Sequence, residues 1–327
     1  MFHGRRWRAE SFGEPRDVLR LAETVWPEPE AGRVLVEVTA CGVGLPDLMI
    51  TTGAYPLLPS PPVAPGQEVV GNVVAVPEGS TFVTGDRVMG VTAFLDGWGG
   101  CADYAYLGET TTQRVPDTMS DEEAAGFSIA FRTAYAGLAQ RVRIKPGDVV
   151  LVLGAAGSTG AAAVSLAKAL GATVIAVASS SDRLSFCTSL GADYVVNRRT
   201  SDVVDAVHEI TGGDGADIVF DPVGGDIATR ATGAVARLGH IAVVGYASGS
   251  WLTLDPVDMV LRNYSAAGVF AAGTVEEDAR AYAALGDLAA RGTIKTPVSS
   301  VAAFTDVPEV ISGIRTAPPG KTVVLRG

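Results

Sequence analysis

Gly157 and Gly160, in L-G-A-A-G-S-T-G-A at Leu153–Ala161, form the spacing in this chain with the most direct chemical meaning. The apolar run Val149-Val150-Leu151-Val152-Leu153 precedes them, and the small-residue stretch Ala161–Leu170 behind them reads as a helix. Strand, glycine turn and helix are the context of a dinucleotide-binding loop. There Gly157 lets the backbone approach a pyrophosphate and Gly160 lets the helix pack against its strand. The helix N-terminus adds N–H groups and positive potential. Ala155 stands at the first glycine position, so the motif is A-x-G-x-x-G, which an ordinary strand-to-helix turn also satisfies. Its weight comes from the elements around it.

Those elements alternate. Ala163, Leu166, Ala167 and Leu170 recur at helical spacing, Gly171 follows as a cap, and Thr173–Val177 reads as a buried strand. Ser181 or Asp182 would cap a helix through Leu190, and a short strand is expected at Tyr194–Val196. A helix over Ser201–Thr211, a strand at Ala216–Phe220, a helix over Asp226–Arg237 and strands at His240–Val244 and Ser265–Phe270 complete the series. Such alternation predicts an α/β fold, a doubly wound parallel sheet with its ligand at the carboxyl ends of the strands. Gly154, Asp221-Pro222 and Gly245-Tyr246 all fall at such ends.

The earlier part of the chain differs. Val34–Ala40, Val69–Val76, Asp86–Val91 and Ala102–Leu107 read as strands broken by glycine and proline, as in Y-P-L-L-P-S-P-P-V-A-P-G. A small barrel-like β domain follows, which the closing G-K-T-V-V-L-R-G strand can rejoin. The expected division is a β-rich catalytic domain over 1–125, completed by 267–327, and a dinucleotide-binding domain over 126–266.

Composition narrows the function. A chain of 327 residues favours two domains, and 25 Lys and Arg against 36 Asp and Glu leave a net charge of −11. That balance argues against nucleic acid or an anionic membrane as partner. No apolar run reaches the roughly 18 residues of a membrane span, and no apolar stretch follows the basic start M-F-H-G-R-R-W-R. Cys41, Cys101 and Cys187 have no pairing spacing, so a reducing, cytoplasmic setting is expected.

From Val34 to Arg326 the chain resembles the zinc-free quinone oxidoreductase branch of the medium-chain dehydrogenase/reductase superfamily. The resemblance is carried by P-G-Q-E-V-V-G at Pro65–Gly71, G-D-R-V at Gly85–Val88, R-T-A-Y at Arg132–Tyr135 and K-P-G-D-V-V-L-V-L-G-A-A-G at Lys145–Gly157. L-G-A-D at Leu190–Asp193, D-P-V-G-G at Asp221–Gly225, V-V-G-Y-A-S-G at Val243–Gly249 and G-K-T-V-V-L at Gly320–Leu325 follow in order. It implies a GroES-like β-rich catalytic domain closing over a Rossmann cofactor domain, often as a homodimer. It further implies that Tyr55 and Thr133 lie near the nicotinamide as candidate catalytic residues, that Val244, Gly245, Tyr246 and Phe270 line its ribose and far side, and that Lys321 approaches the cofactor. Ala156, Gly157, Ser158, Thr159, Gly160 and Val223 join the cofactor set.

Zinc is where the chain departs from the alcohol dehydrogenase branch. The positions of a Cys and a His ligand there are held here by Gly44 and Gln67, and the four-cysteine lobe is missing, so no metal is expected. His3, His208 and His240 read as structural or surface histidines, and Cys41 as a small buried residue. Asp47 and Glu68 read as carboxylates that organise the β domain through backbone hydrogen bonds. Ala178-Ser179-Ser180-Ser181 carries no carboxylate where an NAD site places one, and Arg183 and Arg198 follow, which favours NADPH. Without a metal Lewis acid, hydride transfer to an electrophilic acceptor is favoured, with a quinone first and an enone or enoyl thioester second. A non-catalytic NADPH-binding structural or regulatory protein is the reading from another class.

Overall fold

In the computed structural model, which describes residues 1–327, the valines of the strand Arg33–Val43 point alternately into a closed β layer. Val34, Val36 and Val38 join Val69, Val73, Val88 and Leu107 in one buried cluster. The chain divides into two units, Met1–Ile129 with Thr274–Gly327, and Ala130–Gly273. In the first, one sheet runs in the order Val298–Ala303, Lys321–Leu325, Arg33–Val43, Glu68–Ala75, Arg87–Thr92 and Tyr104–Arg114. Arg33–Val43 also pairs with Tyr104–Arg114, which closes the last four strands on themselves. The tail strand Lys321–Leu325 lies antiparallel against Val43–Ala40, so the end of the chain rejoins this sheet. Phe2–Arg8 and Arg20–Trp26 form a separate antiparallel pair that the sequence pattern did not announce, because its basic residues mask the alternation.

The second unit contains the doubly wound parallel sheet. Its strands lie in the order Ser265–Gly268, Val235–Val243, Ala216–Asp221, Val149–Val152, Thr173–Ala178 and Tyr194–Asn197, all parallel. The central strand is Val149–Val152, whose last three residues are completely buried. The helix Ser158–Ala169 packs its alanines against that centre.

Three local expectations are corrected. The helix expected over Asp226–Arg237 covers Gly225–Ala231 plus one short turn through Ala234. Val235 then enters the sheet early, opposite Ala216, and a register shift with a left-handed Leu238 absorbs the extra residues. Ser180, not Ser181 or Asp182, is the N-cap of the helix Ser181–Ser189, and its side chain makes no capping bond. The sixth strand ends at Gly268, so Phe270 lies beyond the sheet, and the expected limit at 266/267 would cut a strand whose Ala266 and Ala267 pair with Ile241 and Ala242.

Candidate functional site

The carboxyl end of the parallel sheet gathers most of the residues expected at the cofactor. Gly154 ends the central strand in a left-handed conformation, φ 58°, and a β-carbon there would lie 2.7 Å from Val223 Cγ2. A side chain at residue 154 is thus excluded twice, by backbone angle and by space. Gly160 has an equally internal reason to be glycine, since its β-carbon would lie 2.8 Å from the Cα of Ala155. Gly157 is different. It is the N-cap of Ser158–Ala169, has negative φ, and its β-carbon would meet only the Gly154 carbonyl oxygen at 3.5 Å. Within the protein there is room for a methyl at 157.

Asp221 knits the neighbouring loops together. It is fully buried, and its Oδ1 accepts hydrogen bonds from the N–H groups of Val223 at 2.9 Å and Gly224 at 2.8 Å. Burial pushes its carboxyl above the ordinary value, against those two N–H groups, which lower it. Its carbonyl accepts from Val244 N–H at 2.9 Å and Gly245 N–H at 3.1 Å, and the Val223 carbonyl accepts from Ser248 N–H at 2.9 Å. Val223, Val244, Gly245 and Tyr246 are therefore held on one short platform beside the glycine turn. Tyr246 stacks against Trp251 with ring centroids 4.5 Å apart.

One strand further out, Arg198 N–H donates to the Ala178 carbonyl at 3.0 Å. That bond ties the loop after Tyr194–Asn197 to the loop after Thr173–Ala178, so Arg198 is brought beside Ser179 and Ser180. Arg183 lies in the first turn of Ser181–Ser189. Thr133 belongs to the same unit, on the helix Ser128–Tyr135, and Phe270 is largely exposed.

Tyr55 and Lys321 belong to the first unit. Tyr55 is half-buried and meets Phe94 edge-on at 6.1 Å. Lys321 is buried, with its Nζ 2.5 Å from Glu68 Oε1, and the other oxygen of Glu68 accepts from Ile129 N–H at 2.8 Å. Glycines make the passage for this lysine. A β-carbon at Gly126 would lie 2.5 Å from Lys321 Cγ, one at Gly42 would lie 2.8 Å from Cε, and one at Gly44 would lie 3.9 Å from Nζ. Asp47 is also buried; Oδ2 accepts from Gly44 N–H at 2.8 Å and Oδ1 from Gly66 N–H at 2.7 Å. Burial raises its carboxyl, and those two N–H groups oppose the rise. Asp47 thus organises backbone, as its sequence setting suggests, whereas Glu68 does so with one oxygen and pairs with Lys321 through the other.

The same residues test whether a zinc ion fits. Gly44 has no side chain, Gln67 is buried with its Nε2 unpartnered, and Glu68 is already committed to an ammonium and an N–H group. A buried cation at Lys321 repels a second one, and no group of three or more His, Cys, Asp and Glu side chains is placed to hold a metal. The residues present do not fit zinc. Cys41 is buried as expected, but the cysteines are less scattered than their spacing implies: its Sγ lies 3.7 Å from that of Cys101. Both remain thiols. The bond to Cys41 together with burial pushes the Cys101 thiol well up.

Sequence reasoning missed the Lys321–Glu68 pair, which joins positions 253 apart and has no local signal. It also missed the loop-holding role of Asp221, for which the D-P-V-G-G turn was an available sign. No helix is long and apolar enough to cross a membrane.

Residues 30–153 match the family of the alcohol dehydrogenase GroES-like domain, and residues 158–288 match the family described as zinc-binding dehydrogenase. A quinone oxidoreductase-like protein 2 homolog from Nematostella vectensis is 35% identical over 240 residues, 73% of this chain and 65% of that protein. The chain therefore spans slightly under two thirds of that relative. The human quinone oxidoreductase is 30% identical over 279 residues, 85% of this chain and 83% of its own. A mycobacterial protein solved in complex with NADPH superposes with a TM-score of 0.87 at 26% identity, covering 99% of this chain and 100% of that one.

Proposed function

Because the chain belongs to the quinone oxidoreductase branch of the medium-chain dehydrogenase/reductase superfamily, we propose that it is an NADPH-dependent oxidoreductase that reduces a quinone without a metal. The observation that carries the cofactor half is the Ala178-Ser179-Ser180 edge with Arg198 tied to it, where no carboxylate opposes a 2′-phosphate. The NADPH held by the mycobacterial structural relative supports the same choice. When bound, NADPH supplies a hydride, and with one proton from water a quinone becomes a hydroquinone.

The residues of the chain would act around that exchange. Gly157 leaves room for the pyrophosphate, and Ala156, Ser158, Thr159 and Gly160 present the helix N-terminus to it. Val223, Val244, Gly245 and Tyr246 would carry the nicotinamide ribose, with Phe270 beyond them, while Ser179, Ser180, Arg183 and Arg198 would read the 2′-phosphate. Tyr55 and Thr133 are the proposed polar residues for the acceptor. Lys321, which the resemblance places at the cofactor, gives one of its three ammonium donors to Glu68. The lack of a zinc-ligand set supports an acceptor that is already electrophilic, because an alcohol would need its alkoxide stabilised.

The helix Pro256–Arg262 buries no residue and exposes Val257, Val260 and Leu261 next to the edge strand Ser265–Gly268. An apolar face beside an unpaired sheet edge supports a homodimer. Free, buried cysteines support the cytoplasm as its setting.

The test is NADPH oxidation with quinones and with enones, for the parent and for Tyr55→Phe. Quinone turnover reduced less than about tenfold by the substitution is expected, since a hydroquinonate takes its one remaining proton from water. An enone-confined loss of at least about a hundredfold would instead identify Tyr55 as a general acid and the alkene as substrate. Binding of NADPH with no turnover of either acceptor would favour a non-catalytic role.

A further inference from the structure

Three glycines stand around Lys321, and they differ in why they are glycine. A β-carbon at Gly126 would lie 2.5 Å from Lys321 Cγ, and one at Gly42 would lie 2.8 Å from Cε and 2.3 Å from the Ala125 carbonyl oxygen, so close packing excludes both. Gly44 is under no such demand. Its φ of −154° and ψ of −175° are extended backbone that any residue adopts, and as the N-cap of Leu45–Thr52 it holds a place that Ser, Thr, Asp or Asn fills at least as well. Apart from its chain neighbours, two atoms lie within 4 Å of where its β-carbon would stand: Pro46 Cδ at 3.4 Å and Lys321 Nζ at 3.9 Å. Gly44 is partly exposed, whereas Lys321 is 5% exposed. The missing side chain leaves a gap with the ammonium as its wall.

That ammonium is incompletely used. Its hydrogen-bond partner is Glu68 Oε1 at 2.5 Å, so two of its three donors have no acceptor in the protein. The carboxylates around it are committed. Glu68 accepts from Ile129 N–H at 2.8 Å with its other oxygen, and Asp47 uses Oδ2 for Gly44 N–H and Oδ1 for Gly66 N–H. Two unused donors on a buried cation call for an acceptor brought from outside, and a hydrogen bond there is stronger than in water. Glu68 holds Nζ in place, which spares the reordering that a surface lysine would need.

We infer that Lys321 is a catalytic residue: its ammonium, reached at Gly44, hydrogen-bonds the oxygen of a conjugated carbonyl acceptor on which hydride transfer places negative charge. A fixed cation there takes the part that a metal plays as Lewis acid in a zinc enzyme. For a quinone, the hydride brings two electrons from NADPH, which leaves as NADP+, and the acceptor becomes a hydroquinonate. The lysine keeps its protons, and water supplies the one that completes the hydroquinone. The inference rests on the oxidoreductase reading and gives the lysine a different role from the one the resemblance implies, at the cofactor.

The experiment compares the full chain with Gly44→Val, which fills the gap and leaves the ion pair alone, and with the double variant Lys321→Met with Glu68→Gln, which removes both charges together. Steady-state NADPH oxidation with a quinone and calorimetric titration with NADPH are measured for all three. So is binding of para-nitrophenolate, an anion that stands for the hydroquinonate and absorbs visible light. The double variant is expected to lose roughly a hundredfold to a thousandfold in kcat, the effect of removing one oxyanion donor. It should bind para-nitrophenolate roughly tenfold to a hundredfold more weakly, and the uncharged para-nitroanisole as the parent does. Gly44→Val should lose about a hundredfold in kcat/KM by keeping the oxygen away from Nζ. NADPH affinity should be unchanged in both. Quinone turnover and phenolate binding kept by Gly44→Val would overturn the inference, and so would a double variant whose loss falls on NADPH affinity with kcat kept. Either result leaves the oxidoreductase reading standing. A parent that turns over neither quinones nor enones would overturn both.

Discussion

The two units place charge in opposite ways. In Ala130–Gly273 the key carboxylate, Asp221, holds N–H groups only two and three residues away, and the loops it orders present backbone. In Met1–Ile129 with Thr274–Gly327, Glu68 reaches Lys321 across 253 positions, and glycines on two further segments clear the lysine's path. Local anchoring can be altered one residue at a time. A buried pair closed over such a distance stands or falls with the packing of the whole unit.

The largest effect should come from breaking that pair. Lys321→Met leaves the Glu68 carboxylate buried without its counter-charge, which costs about 3–5 kcal/mol, whereas Glu68→Gln with Lys321→Met should recover most of the loss. Urea titration of the three proteins checks this. If the single variant were as stable as the parent, the contrast between the units would collapse.

Gly160→Ala tests the local side. A methyl there meets the Cα of Ala155, so the helix must shift from its strand at a cost of about 1–3 kcal/mol, with weaker nicotinamide cofactor binding as the second readout. Retained stability with retained binding would show that the turn yields more easily than its geometry implies.

Asp47 and Asp221 give the units a shared sign. Burial raises both carboxyls, against backbone N–H groups that lower them. The folded chain then holds each proton more tightly than the unfolded one. This contribution is complete below the unfolded value of about 4 and is lost as pH rises through the higher folded value. Asp47→Asn and Asp221→Asn should each flatten that decline, by at most about 1.4 kcal/mol per pH unit inside the window. Denaturation curves across mildly acid pH decide it, and an unchanged slope in both variants would contradict the assignment.

The smallest stability effect belongs to Gly157→Ala. Its β-carbon makes one ordinary van der Waals contact, with the Gly154 carbonyl oxygen, so stability should change by less than about 1 kcal/mol, the scale of exchanging an N-cap residue. Nicotinamide cofactor affinity should nevertheless fall. Equal loss of stability at 157 and 160 would erase the distinction drawn between a glycine kept for a ligand and one kept for packing.

Much of the second unit was legible because its signals are short. A parallel strand is a buried apolar run, its helix carries a stripe at 3.6-residue spacing, and the turn between them concentrates glycine within a few positions. The failures there are boundary failures: Val235 reads as helix until its pairing opposite Ala216 is known. The terminal hairpin was hidden for a related reason. Trp7 is held by a bond from its Nε1 to the Phe304 carbonyl, at 2.9 Å, and nothing near Trp7 in the chain records it.

By itself the sequence determined the alternating α/β architecture, the glycine turn, the absence of a carboxylate after Thr173–Ala178 and the lack of His and Cys ligands at Gly44 and Gln67. These depend on residue type and on neighbours a few positions away. Tertiary structure decided that Lys321 ends on Glu68 and that Cys41 meets Cys101. Each of those needs side chains from distant segments at distances of a few ångströms. Only burial of the sheet cores supplies the free energy that brings such segments together.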